Sequence, residues 1–285
     1  MSSIAKEGSK LRVFISYSRQ DLEFADQLVA VLELYGFLTS VDRKGIHGAE
    51  KWEERLGQLV LEADVVVFVL SPDSAISDVC VWEVEEAHRR GKRIVPVLCK
   101  PLDDAQPPER LRDLNYIFFY SEKDQPGSGF GTGQARLFDA LSVDVDWLRE
   151  HTRLEELAAR WNVNGQPTDQ LVVRGSELSG YKAWRDRRPA NAPELTDLQR
   201  NFLGASEEAE TARESKARRD DEERRKALDA AVAAQRRLAK RTRLGMVAAL
   251  VLLAVAGAAS LFAVKENQAA LKAAALAVIQ ARVKQ

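Results

Sequence analysis

The 285-residue sequence predicts an α/β fold, a flavodoxin-like five-stranded parallel sheet, followed by a small helical region, a charged helix and one transmembrane helix. Three observations carry this. Short apolar strands alternate with amphipathic helices over the N-terminal third, the pattern of a doubly wound sheet. Val65 to Leu70 is a continuous apolar run, as in strands buried on both faces of a parallel sheet. Leu244 to Val264 contains no charge at all. The expected divisions are 10–142 for the α/β domain and 143–204 for the helical region. The charged helix is expected at 205–243, the transmembrane helix at 244–264, and an Ala-rich tail at 265–285.

The first strand is Arg12 to Ser16. Ser18 to Asp21 has the spacing of a capping box that opens a helix. Leu22, Ala25, Leu28, Val29 and Leu32 then share one helical face, and Gly36 ends it. A second strand is expected over Phe37 to Val41. A loop with Gly45 and Gly48 leads to a helix striped by Trp52, Leu56, Leu59, Val60 and Ala63. The third strand, Val65 to Leu70, precedes a helix from about Ser77 to Arg90. Gly91 follows, then the fourth strand, Arg93 to Leu98. Tyr116 to Tyr120 supplies the fifth, after a loop with Pro101, Pro107 and Pro108. Gly127, Gly129, Gly131 and Gly133 lack the spacing and the Lys-Ser/Thr of a phosphate-binding loop, so they read as a flexible surface loop.

From Leu137 to Gly204 the pattern is helical, with Trp147, Trp161 and Trp184 to pack a small subdomain. Residues 207 to 243 are highly charged and rich in helix formers. They fit a solvated single helix or a parallel coiled coil, with apolar heptad positions near Leu228, Val232 and Leu238. The uncharged run that follows meets the roughly 20 residues a bilayer crossing needs. Its alternative is a buried helix of a soluble protein. Arg236, Arg237, Lys240, Arg241 and Arg243 crowd its N-terminal flank, whereas Lys265 is offset by Glu266 beyond it. The positive-inside rule then places the N-terminal domain in the cytoplasm. The tail is expected to be helical without a core of its own, as if the chain continued beyond Gln285.

Composition excludes several classes. Lys plus Arg number 42 against 43 Asp plus Glu, so there is no nucleic-acid footprint and no nucleic-acid partner is expected. Two cysteines, Cys80 and Cys99, sit in apolar segments, which fits a reducing compartment rather than a disulfide framework. His47, His88 and His151 are scattered and no CxxC occurs, so no metal site is expected. The N-terminus lacks the apolar run of a signal peptide.

In an open parallel sheet, ligands bind at the carboxyl edge where strand order reverses. Here that is the loops after strands one and three, near Tyr17 and Ser71, with the helix from Ser77 on the same edge. That helix has an apolar stripe of Ile76, Cys80, Val84 and Ala87, and Glu83 falls within it, while Glu85 and Glu86 point elsewhere. A carboxylate on an inward face is costly unless it is paired or used. Glu83 either pairs with a nearby arginine at a partly buried position or serves a site.

Phe14-Ile-Ser-Tyr-Ser18 with Asp21, then Gly36-Phe37, Asp42, Gly48 and Trp52, resembles a TIR (Toll/interleukin-1 receptor) domain. So does Val69-Leu-Ser-Pro72, followed by Ser77 to Glu83, Ala87 and Gly91 to Pro96. The match covers roughly residues 10 to 142. The following region, with Asp146 to Thr152, resembles bacterial TIR proteins that carry a membrane helix and often a C-terminal propeller, which these residues lack. Many bacterial and plant TIR domains cleave NAD at the nicotinamide–ribose bond with an essential glutamate that matches Glu83. The resemblance implies that Ser16, Tyr17 and Arg19, with Asp42 and Trp52, cradle the substrate. Trp52 stands in a helical core stripe, which fits structural packing equally. Many NAD-cleaving members have a tryptophan four residues before the glutamate, where this chain has Val79, and Trp82 lies on another helix face. Cys80 has no base to activate it.

The expected function is a membrane-anchored TIR effector that cleaves NAD on self-association, needing no cofactor besides NAD as substrate. The competing expectation is a non-catalytic TIR scaffold in signal transduction. A response-regulator receiver domain would need an acidic residue where Ser71 ends the third strand.

Overall fold

The computed structural model describes residues 10–43, 52–123 and 125–283, so Gly45, His47 and Gly48 lie outside the described residues. The strands are β1 (Arg12–Ser16), β2 (Leu38–Val41), β3 (Val65–Leu70), β4 (Arg93–Leu98) and β5 (Ile117–Phe118). Between and after them run α1 (Leu22–Leu34), α2 (Trp52–Glu62), α3 (Pro72–Ala75), α4 (Asp78–Arg89), α5 (Phe130–Ser142), α6 (Val145–Val163), α7 (Gly175–Arg185) and α8 (Asp197–Val283). All pairings are parallel, in the order β2-β1-β3-β4-β5. The order reverses between β1 and β3, where Ser16 pairs with Phe68. Loops leaving these two strands diverge to opposite faces and leave a crevice at their carboxyl ends.

β3 explains the two-sided core. All six of its side chains are fully buried, and each contributes about 1.5–3 kcal/mol of apolar burial. Alternation sends Val65, Val67 and Val69 to one face, against Leu28, Leu137 and Leu148. It sends Phe68 and Leu70 to the other, with Cys80 and Val84, while Val66 meets Leu56 and Val60. α4 is therefore pinned along the second face with Glu83 on its inner side.

Several local expectations change. Ser18 accepts a hydrogen bond from the Gln20 amide at 3.4 Å and opens a 3₁₀ turn, Arg19–Asp21, so α1 starts at Leu22. Asp21 reaches back to Ser18 with its backbone amide, which donates to the Ser18 carbonyl at 2.8 Å, while its side chain turns elsewhere. It is buried, accepts the Ser71 hydroxyl at 2.5 Å and pairs with Lys100 at 2.9 Å. A capping box forms instead at Ser71 and Ser74, which exchange side-chain and backbone bonds and open α3. Leu22 and Ile76 are exposed at the margins of their expected stripes, since neither lies far enough inside its helix to face the sheet. β5 contracts to Ile117 and Phe118 because it is an edge strand with only Val97 and Leu98 opposite. The glycine-rich stretch is not all loop: α5 begins at Phe130 and takes in Gly131 and Gly133. A Cβ on Gly133 would lie 2.8 Å from the Phe118 carbonyl oxygen, and only glycine lets α5 come this close to the sheet.

The chain divides into two compact units, Met1–Ala212 and Arg213–Gln285. In the first, Leu148, Leu154 and Ala158 of α6 share one apolar cluster with Val13 and Ile15 of β1. Trp147 stacks on Trp184 at 4.0 Å and Trp161 meets Phe202 edge-on at 5.6 Å. Their indole N–H groups donate to the carbonyls of Pro193 and Pro167, so the tryptophans staple loops as well as helices. The second unit is the continuation of α8, exposed at every residue from Lys216 to Ala274. This one helix contains a stretch long and apolar enough to cross a membrane.

Candidate active site

The crevice beyond β1 and β3 holds a pocket of about 310 Å³. Ser16, the last residue of β1, is buried, and its hydroxyl donates to Glu83 Oε2 at 2.5 Å. Glu83 is only 4% exposed. It stands on the second turn of α4, which Ser77 caps by accepting from the Cys80 amide. Burial pushes its carboxyl up to about 8. The Ser16 hydrogen bond opposes that rise, and the charge of Asp42 adds to it. The Ser16 bond occupies Oε2, and Glu83 also lines the pocket.

Tyr17, Arg19 and Asp42 line the same pocket. The Tyr17 hydroxyl donates to the Asp42 carbonyl at 3.2 Å, and burial raises its pKa. The Asp42 carboxylate accepts from Arg55 at 2.9 Å, which ties the end of β2 to α2. Arg19 is exposed at the lip. Of the residues expected to form the site, Tyr17, Arg19, Asp42 and Glu83 thus meet around one cavity, and Ser16 stands behind the carboxylate.

Trp52 packs edge-to-face on Trp82 at 5.2 Å, between α2 and α4, and is not placed on the pocket wall. The apolar wall comes instead from Ile15, Leu56 and Val79. Cys80 lines the pocket, but burial first, and then the Glu83 charge, push its thiol up to about 12. It stays a thiol, with no nucleophilic role. Glu86, expected to point away, is buried and held by Arg89 and Arg90 at 2.6 and 2.5 Å. Arginines one turn on can fold back over a carboxylate, which helical-face counting does not register.

Sequence reasoning missed the neighbouring cluster of Asp21, Ser71 and Lys100. Lys100 bridges Asp21 at 2.9 Å and Asp73 at 2.6 Å, and those bonds raise its pKa. Burial pushes the adjacent Cys99 thiol up to about 12. The partners lie up to 79 positions apart along the chain, and the only local signal, the Ser18–Asp21 spacing, reads as a cap.

Residues 13–131 match the sequence model of the TIR domain. Among solved structures, the TIR domain of the Toll-related receptor TRR-2 from Hydra magnipapillata is 20% identical. That likeness covers 47% of this chain and 97% of the other, with a TM-score of 0.36. A prokaryotic SEFIR domain is 15% identical over 47% of this chain and 94% of its own, with a TM-score of 0.36. The CMP N-glycosidase BcmB from Clostridium botulinum is 21% identical over 45% and 98%, with a TM-score of 0.32. No curated protein matches the chain. The matched segment contains all five strands but for the first residue of β1, together with the whole crevice. Over those residues the chain is similar to a TIR domain.

Proposed function

We propose that the chain is a membrane-anchored TIR effector that hydrolyses NAD to nicotinamide and an ADP-ribose product when chains self-associate, in signalling or defence. One observation carries this reading: a buried carboxylate, Glu83, that lines the pocket at the switch point and is held by Ser16. A desolvated carboxyl with a raised pKa in a cleft marks a working group.

In the proposed reaction the ribose C1′–nitrogen bond breaks and its electron pair leaves with nicotinamide. The ribose becomes an oxocarbenium-like cation, and water adds at C1′ and loses a proton. Ionised Glu83 faces that cation and accepts from the ribose hydroxyls, in a site dry enough to make its charge effective. Tyr17, Asp42 and Arg19, which line the same pocket, would orient the ribose and the phosphates. Val79 leaves the nicotinamide side walled by aliphatic groups. The uncharged, exposed run in α8, with its basic N-terminal flank, fits a single inner-membrane span with the TIR domain cytoplasmic. Confinement in a plane favours encounters between TIR domains.

The test is NAD consumption by the purified full chain, concentrated in detergent micelles, with chromatography of the products. Nicotinamide should appear with wild type and vanish with Glu83→Ala. Intact NAD with self-associated wild type would sink the enzymatic reading. It would favour the non-catalytic scaffold.

A further inference from the structure

The start of α8 is linked through α6 to the helix that carries Glu83. Thr196 and Gln199 form a capping box: the Gln199 amide donates to Thr196 Oγ1 at 3.2 Å, and the Thr196 amide donates to Gln199 Oε1 at 2.8 Å. Both side chains have a further partner on α6. Thr196 Oγ1 donates to Glu155 Oε2 at 3.1 Å, and Gln199 Nε2 donates to the His151 carbonyl at 2.9 Å. Gln199, His151 and Glu155 are all buried. The other oxygen of Glu155 faces Arg90 at 3.6 Å, and Arg90 Nε holds Glu86 at 2.5 Å. Glu86 lies one turn beyond Glu83 on α4. The backbone closes the same joint: a Cβ on Gly91, just past α4, would meet Thr196 Cγ2 at 3.1 Å, His151 Cε1 at 3.2 Å and the Glu194 carbonyl at 3.3 Å.

Surface ion pairs contribute little, but this chain of contacts is sheltered. A sheltered polar network with every member satisfied holds one geometry rather than many.

We infer that Thr196, Glu155 and Arg90 are positioning residues, through which the first turn of α8 sets the place of α4 and so of Glu83 against Ser16. The inference rests on the reading of Glu83 as the catalytic carboxylate. α8 is the same helix that contains the apolar run, so the element proposed to sit in the membrane begins beside Thr196, which reaches the end of α4 through Glu155 of α6.

The experiment uses the full chain in detergent micelles with Thr196→Val, Thr196→Ser, Glu155→Gln and, as control, Arg153→Ala. Arg153 sits on α6 in an exposed pair with Glu177, outside the network. NAD turnover and amide hydrogen exchange over residues 80–86 are measured side by side. Thr196→Val and Glu155→Gln should lower kcat by about tenfold with KM within about twofold, because a misplaced carboxylate weakens only the transition state. Exchange over 80–86 should quicken by roughly tenfold, as local opening of α4 becomes easier. Thr196→Ser restores the hydroxyl and should restore both readings, and Arg153→Ala should change neither. Should Thr196→Val prove unable to fold, Glu155→Gln, which keeps an acceptor for Thr196, decides alone. Unchanged kcat together with unchanged exchange in the folded variants overturns the inference, as does an equal effect from Arg153→Ala. If wild type leaves NAD intact, it is the enzymatic reading that falls. The exchange data then judge the α8–α4 link separately.

Discussion

Replacing Glu83 by Gln should remove activity and strengthen the fold, and the size of the gain follows from burial. The carboxyl has its ordinary value of 4.5 when the chain is unfolded and about 8 in the native pocket. Below pH 4.5 both states hold the proton and there is no penalty. Between 4.5 and 8 the unfolded chain gives the proton up while the folded one keeps it, so stability falls as pH rises. The loss is under about 1 kcal/mol at pH 5, about 3 kcal/mol at pH 7 and close to 5 kcal/mol above pH 9. Glutamine retains an oxygen that can accept from Ser16 and carries no charge, so the variant escapes this cost. The assay is thermal unfolding of wild type and Glu83→Gln in parallel from pH 5 to 9. Comparing the pair at each pH cancels other titrating groups, such as Lys92, which burial lowers to about 7 and whose effect runs the opposite way. At about 2–4 °C per kcal/mol for a unit of this size, the variant should melt roughly 6–12 °C higher at pH 7 and nearly level with wild type at pH 5. A gap that does not widen with pH would refute the argument that burial governs this carboxyl.

Three further outcomes follow from particular contacts. Ser16→Ala removes the hydroxyl that favours the ionised carboxylate, so the acid limb of the kcat/KM–pH profile should move upward and activity at pH 7 should drop several-fold. Gly133→Ala places a methyl 2.8 Å from the Phe118 carbonyl oxygen and 2.9 Å from the Phe119 ring. It should cost about 1–3 kcal/mol in denaturant unfolding. Leu252→Arg with Val255→Arg sets two cations inside the apolar run at about 5–7 kcal/mol in total, and fractionation should find the chain shifted out of the membrane pellet.

The parts of this molecule that were readable from the chain are those decided by local pattern. β3 announces itself because a strand buried on both faces must be apolar at every position. Glu83 stood out because one carboxylate interrupts an otherwise apolar helical stripe. What was not readable depends on partners distant in sequence. Asp21 has the spacing of a cap, yet the fold brings Ser71 and Lys100 to it and makes it part of a buried cluster. Glu86 lies off the apolar stripe, yet Arg89 and Arg90 fold over it and let it be buried. Trp52 offers an aromatic face in the right region, and only the position of Trp82 assigns it to packing. β5 shrank for a related reason: its length is set by the two residues that β4 presents to it, not by its own five apolar positions.

The raised pKa of Glu83 poses a problem whose solution is itself testable. At pH 7 a carboxyl titrating near 8 is about nine-tenths protonated, whereas stabilising an oxocarbenium ion requires the charged form. Under the proposed reaction, NAD itself can supply the difference. A cation about 4 Å from the carboxylate, at an effective dielectric of about 20, contributes about 4 kcal/mol. That is close to the roughly 5 kcal/mol that separates 4.5 from about 8. The positive nicotinamide ring of NAD would therefore lower the Glu83 pKa and ionise the carboxyl on binding, whereas the neutral ring of NADH would not. Binding should thus release close to one proton at pH 7 for a cationic NAD analogue whose ribose oxygen is replaced by a methylene, and none for NADH. Titration calorimetry in buffers of different ionisation enthalpy counts those protons, with Glu83→Gln as the blank. Equal proton release by the two ligands, or release that survives in Glu83→Gln, would mean that the substrate's charge does not switch the carboxylate on.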